Sequence, residues 1–225
     1  MSARLPVQHF TDLLCVWAYA CQVRVDELVQ AEGEAIDLDR RFCSIFGDAA
    51  DRLAKSWEHR GGLAGYGAHV RSVAERFPHI TVHERCWAEV APRSSLGAHI
   101  FLAGVRHLER EEAVSPGAFA QASWAFREAF FGQGRDIGQR AVQYEVAETL
   151  GLPIGAIEDC LADSSAHAEL AADFDLAKKL DVTVSPTLVL NDGRQRLAGN
   201  VGYRVLVANV RELLRQPTGD DASWC

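Results

Sequence analysis

The chain predicts an α/β fold in which an all-helical insertion domain interrupts a small sheet. Three observations carry this reading. Strand-like runs occur only near the two ends of the 225 residues. A β–α–β unit opens the chain, and an α–β–β–α unit closes it. Everything between them has helical periodicity, broken by Gly and Pro at intervals typical of short helices.

Residues 7–14 alternate in part and are rich in strand-compatible side chains, which predicts a buried strand. Residues 17–31 contain neither Pro nor Gly, and Ala20, Val23 and Leu28 recur at roughly helical spacing. Residues 35–46 place Ile36, Leu38, Phe42, Ile45 and Phe46 in a second strand, closed by Gly47-Asp48. Such a unit favours a parallel strand pair with a right-handed crossover. The helical block runs from about residue 52 to 172. Within it, residues 66–76 form a helix that Pro78 ends. Ser94 or Ser95 caps a helix through 111, and Ser115-Pro116 starts another that reaches 131. Gly132-Gln133-Gly134 is a loop, and Asp136 caps a helix over 137–150. Shorter helices cover 154–162 and 164–180. Strands return at 182–190 and 195–198, joined by the turn Asn191-Asp192-Gly193. Residues 202–215 form a closing amphipathic helix, and 217–225 form a polar, frayed tail.

Nearly half of the residues, 48 %, are hydrophobic, enough for a substantial core. The net charge of −8 and the absence of Lys/Arg runs argue against a nucleic-acid surface. Residues 1–9 lack the apolar stretch of a signal peptide, and the longest uncharged runs are too short to span a bilayer. The default address is the cytoplasm, where the six cysteines (15, 21, 43, 86, 160 and 225) stay mostly reduced.

Cys15 is the most informative residue. It stands where a strand ends and a helix begins, and a helix N-terminus offers N–H groups and a positive dipole that lower a thiol's pKa. The partner position of a Cys-x-x-Cys motif is occupied by Ala18. A buried, inert cysteine is the competing reading. Cys21 lies about 120° around the helix from Cys15 and reads as core. Cys43, Cys86 and Cys160 also read as core. Cys225 is a free thiol or simply a terminal residue. Pro186 interrupts an otherwise good strand and marks an edge or a special turn. Trp17 and Tyr19 flank Cys15, as walls of a site or as stacking partners for a substrate. His79, His83 and Cys86 are ligand types, but the intervening Ile80-Thr81-Val82 reads as extended, so no metal site is assigned. Gly132, Gly134 and Gly138 lack the spacing of a nucleotide-binding fingerprint. Asn200, just before the last helix, belongs either to a carboxylate-binding helix N-terminus or to a plain turn.

Three stretches resemble the DsbA-like thioredoxin-fold family, the group that includes FrnE-type oxidoreductases, 2-hydroxychromene-2-carboxylate isomerases and kappa-class glutathione transferases. Asp12-Leu13-Leu14-Cys15-Val16-Trp17-Ala18-Tyr19 resembles its active-site strand end. Residues 126–153, centred on Gly134-Arg135-Asp136-Ile137, resemble its late helical segment. Val182-Thr183-Val184-Ser185-Pro186-Thr187 resembles its cis-proline loop. The resemblance implies a thioredoxin-like fold: a discontinuous domain over 1–50 and 166–216, a helical insertion over 51–165, and a flexible tail over 217–225. It also implies a cis Ser185–Pro186 bond that turns Val184 and its backbone toward Cys15. The chain departs from the redox pattern at Val16 and Ala18. The isomerase and transferase branches usually carry Ser where this chain has Cys15.

The implied activity is thiol–disulfide exchange through a single cysteine, Cys15, in a C-x-x-A motif. Trp17, Tyr19, Val184, Ser185, Pro186 and Asn200 bind the substrate or glutathione. No cofactor is resident, and glutathione is the candidate co-substrate. The alternatives are a glutathione-dependent isomerase or transferase and a non-catalytic binding protein. The partner is a small-molecule or thiol substrate, not nucleic acid or membrane. A homodimer is compatible with the reading.

Overall fold

The computed structural model describes residues 4–215. The predicted tail, with Cys225, lies outside the described residues. Four strands form one mixed sheet in the order β2-β1-β3-β4. Strand β1 (Leu5–Thr11) pairs parallel with β2 (Ile36–Phe42), and helix α1 (Val16–Glu32) makes the crossover. Strand β3 (Thr187–Leu190) runs antiparallel to β1, and β4 (Gln195–Ala198) pairs antiparallel with β3. Between β2 and β3 lie α2 (Ala50–Ser56), α3 (Gly62–Ala74), α4 (Leu96–Arg110), α5 (Ala118–Arg127), α6 (Arg140–Thr149), α7 (Ile154–Ala162) and α8 (Ser165–Lys179). Helix α9 (Tyr203–Arg215) ends the described chain.

The alternation of β1 sorts its side chains onto two covered faces. Leu5 and Val7 pack with Val25 and Leu28 of α1 and Leu206 and Val210 of α9. Phe10 packs on the other side with Cys43, Val189 and Ala177 of α8. The helical block has its own apolar cluster of Phe101, Phe126, Phe130 and Trp87, which is continuous with Val16 and Tyr19 at the start of α1. Each such side chain contributes about 1.5–3 kcal/mol of burial free energy. A buried polar tie fastens the block to the sheet. Asp173 of α8 accepts from the Phe42 N–H at 2.9 Å and pairs with Arg106 of α4 at 2.7 Å and Arg41 of β2 at 3.0 Å.

Several boundaries differ from the sequence reading. Strand β1 stops at Thr11, because residues 12–15 turn, with the Cys15 N–H bonded to the Asp12 carbonyl at 3.2 Å. Strand β2 stops at Phe42, because Ile45 and Phe46 give their N–H groups to the Asp12 carboxylate and not to a ladder. Strand β3 starts at Thr187. The Val182 N–H bonds back to Ala177 of α8, and Pro186 has no N–H to give. Asp136 holds the Gly138 N–H in a turn, so α6 begins only at Arg140. The Ser95 hydroxyl donates to Asp12 and caps nothing, while Ser94 receives the Leu96 N–H.

Helix α5 starts later than predicted, and its cap comes from another helix. The Glu109 carboxylate of α4 accepts from the Gly117 N–H at 3.1 Å and the Phe119 N–H at 2.6 Å. It satisfies two of the donors that a helix start leaves open. Glu109→Ala is expected to cost about 1 kcal/mol, seen as a lower urea midpoint with an unchanged slope. A midpoint equal to that of the parent protein refutes the cap.

Candidate active site at the end of strand β1

The turn after β1 is organised by one buried carboxylate. Asp12 is 0 % exposed. It accepts from the N–H groups of Leu14 (3.0 Å), Ile45 (3.0 Å) and Phe46 (2.9 Å) and from the Ser95 hydroxyl (3.0 Å). These four bonds gather the ends of β1 and β2 and the start of α4 around a single side chain. His99 of α4 adds a neutral acceptor. Its Nε2 takes the Leu13 N–H at 3.2 Å and lies 3.6 Å from Asp12 Oδ1. Burial pushes His99 down to about 4, against the opposing pull of Asp12, and its ring stacks on Phe42.

Cys15 is the N-cap residue of α1, in extended conformation. Its thiol donates to the Ser185 carbonyl at 3.1 Å, and the Asp12 N–H donates to the Ser185 hydroxyl at 2.8 Å. Ser185 thus clamps the proline loop to the turn at two points. The Ser185–Pro186 peptide is cis, and the Pro186 carbonyl receives the Gly199 N–H at 2.8 Å.

The sequence predicts a lowered Cys15 pKa, and the structure reverses that direction. Burial raises it. The Ala18 and Trp17 N–H groups and Ser185 pull it down, and the Asp12 charge pushes it further up. The helix N-terminus therefore acts as expected but is outweighed by desolvation, since the residue is only 5 % exposed. Behind the site, the Arg127 guanidinium is fully buried. It donates to Thr11 Oγ1 at 3.0 Å and to Gln22 Oε1, and its Nε has no partner among the described residues. Burial lowers Arg127 to about 10, and negative charge at Cys15 and Asp12 draws it back up.

The other predicted residues are placed unevenly. Tyr19 is buried, stacked on Phe131 at 5.3 Å and tilted against Trp124. Trp17 is half-buried, with its ring against Phe77 and the Arg76 guanidinium above it. Val184 is 44 % exposed. Its carbonyl already accepts from the Thr187 hydroxyl at 2.7 Å, so it offers an incoming chain its N–H and one remaining lone pair. Asn200 is spent on Arg24 of α1, which also bonds the Val201 carbonyl. His79 bonds the Ala20 carbonyl. Among the described residues no group of three or more His, Cys, Asp and Glu is placed to hold a metal ion. No helix among them is long and apolar enough to cross a membrane.

The sequence reading placed Ser95 only as a helix cap and Asp12 only in the resemblance, and gave neither them nor His99 and Arg127 a part in the site. The Asp12-x-Leu14 spacing of an Asx turn was the one local signal available. Ser95, His99 and Arg127 arrive from helices far along the chain and leave no local mark.

A thioredoxin-like sheet, a helix opening on a cysteine and a proline loop bonded to that cysteine define the thioredoxin-fold class. The chain belongs to the DSBA-like thioredoxin domain family, whose model matches residues 6–211. Its structure is similar to a probable DsbA oxidoreductase from Streptomyces coelicolor, with 21 % identity, 99 % of this chain and 93 % of that one covered, and a TM-score of 0.71. It is similar to the cytosolic disulfide reductase DsbM from Pseudomonas aeruginosa with GSH, with 16 % identity, 95 % and 98 % covered, and a TM-score of 0.65. A 2-hydroxychromene-2-carboxylate isomerase aligns with 18 % identity, 96 % and 100 % covered, and a TM-score of 0.60. At these identities the likeness is one of fold. No curated protein matches the chain in sequence.

Proposed function

We propose that the protein is a thiol–disulfide oxidoreductase that works through Cys15, with glutathione as the external thiol, in the cytoplasm. The observation that carries this reading is the Cys15 thiol held between the N–H groups of α1 and the Ser185 carbonyl, with Ala18 at the place of a second cysteine. Once deprotonated, Cys15 attacks a disulfide sulfur. A Cys15–sulfur bond forms, the disulfide breaks, and the departing thiolate takes up a proton. Charge on the sulfur is met by the Trp17 and Ala18 N–H groups. The exposed Val184 and half-buried Trp17 border the approach.

The test is release of glutathione from oxidised glutathione, followed across pH. Cys15→Ser is expected to abolish release. Because burial holds the thiol protonated, the rate with the parent protein should climb through pH 9 without levelling near neutrality. Release that survives Cys15→Ser ends the proposal.

One observation favours a second reading. A Cys15 kept protonated by burial is a hydrogen-bond donor, as a serine would be, and could orient a bound glutathione sulfur for isomerase or transferase chemistry. Tight binding of reduced glutathione without any Cys15-dependent release selects that reading. Neither binding nor release selects a non-catalytic binding protein.

A further inference from the structure

Cys43 reads as core in the sequence, but the fold sets it beside the site. The parallel register brings Thr11 opposite Phe42, and the Cys43 N–H continues the ladder to the Thr11 carbonyl at 2.9 Å. Cys43 therefore comes directly after the last register pair, on the side of Asp12, whose charge adds to the burial that raises it. Asp12 begins the turn that returns at Cys15, whose N–H bonds the Asp12 carbonyl. Ser185 lies against both thiols. Its carbonyl accepts from Cys15, and its side chain lowers Cys15 and Cys43 alike against the burial that raises each. A thiolate at Cys15 would raise Cys43 further. A cavity of about 370 Å³, lined by Cys43, Ser44, Phe174, Ala177, Lys178 and Thr183, leaves free volume on one side of Cys43. Cys21 cannot serve instead, because six residues along α1 amount to about 9 Å of rise, beyond disulfide reach.

We infer that Cys43 is the resolving thiol for Cys15, an inference that rests on Cys15 being the exchanging cysteine. After Cys15 takes a glutathionyl group from oxidised glutathione, the Cys43 thiolate attacks the Cys15 sulfur. The Cys15–Cys43 bond forms as the Cys15–glutathione bond breaks. The departing glutathione thiolate takes up the proton that Cys43 lost. A dithiol substrate then reduces the internal disulfide and leaves as its own disulfide, so the net reaction is oxidation of that dithiol by oxidised glutathione. Burial raises the Cys43 thiol and keeps its thiolate scarce, so this step is expected to be slow and to quicken as the pH rises.

The experiment treats the full protein with oxidised glutathione, counts glutathione released per chain and maps the products by peptide mass spectrometry. The parent protein is expected to release about two glutathiones and to yield a Cys15–Cys43 disulfide, while Cys43→Ser releases about one and stops at a glutathionyl Cys15. Cys43→Ala serves as a second variant and should behave like Cys43→Ser. A parent protein that accumulates the same stable glutathionyl Cys15 as the variants, or pairs Cys15 with another cysteine, overturns the role of Cys43 and leaves Cys15 exchange standing. No release by parent or variants overturns the Cys15 reading itself.

Discussion

Asp12→Ala should cost the protein at least about 4 kcal/mol, a large share of the stability of an ordinary domain. The reason is the number of donors that converge on one buried side chain. Three backbone N–H groups and the Ser95 hydroxyl bond to it, and alanine strands all of them out of reach of water. A buried donor left without a partner costs about 1–3 kcal/mol, and the total is set against a native stability of only about 5–15 kcal/mol. Asp12→Asn should be milder. Its oxygen can stay where Ile45, Phe46 and Ser95 converge, at the expense of placing its NH2 against the Leu14 N–H. A loss of about 1–3 kcal/mol is expected. The asparagine variant has a second readout, because the Asp12 charge helps hold Cys15 up. Its thiol should titrate lower than in the parent protein. Urea unfolding of both variants, with thiol titration of Asp12→Asn, is the check. An alanine variant within about 1 kcal/mol of the parent would show that the turn is held by something else.

The Asp12 hub also shows which parts of the molecule the sequence made legible. The strand–cysteine–helix succession was readable because residue period changes at Cys15 and because a helix start is a local event. The outer strand ends were not. Residues 182–186 have the β-branched, apolar character of a strand, yet Val182 closes α8 with its N–H and Pro186 has none, so pairing waits for Thr187. Residues 43–46 look like strand for the same reason and are diverted by a carboxylate some thirty positions earlier. Cys43 read as core from its neighbours Phe42, Ile45 and Phe46. Only the register of β1 on β2 reveals that it stands next to Asp12. The direction of the Cys15 shift was missed on similar grounds. A helix N-terminus is visible in sequence, whereas the burial that overrides it is supplied by the helical block and the proline loop.

Acid should destabilise the protein well above the range in which carboxylates titrate, and two buried histidines are the cause. His9 is pushed down to about 3 by burial, with Arg40 and Arg127 adding to the effect. His99 is pushed down to about 4 by burial, with Arg127 and Arg106 adding and Asp12 opposing. Both folded values lie below the unfolded 6.5, so between them the unfolded chain binds more protons and stability rises with pH. The stability is fully present above about pH 7 and is lost as the pH falls toward the folded values. By pH 5 each histidine forfeits about 2 kcal/mol, a figure set by the unfolded pKa and insensitive to how far below 5 the folded value lies. Together they account for about 4 kcal/mol between pH 7.5 and 5. Asp173, raised by burial, acts with the opposite sign, so the histidine share is best read by difference. His9→Leu removes a ring whose Nε2 has no partner among the described residues, and His99→Gln keeps an acceptor for the Leu13 N–H. Each variant should flatten the pH 5–7.5 stability curve by about 2 kcal/mol, whatever it does to stability at pH 7.5. Curves parallel to that of the parent would mean that both rings take up a proton in the folded protein as readily as in the unfolded chain. At His99 the added proton would fall on Nε2, the nitrogen that already takes the Leu13 N–H, and at His9 no acceptor among the described residues faces the buried Nε2, which is why the neutral rings are the arrangement the fold can hold.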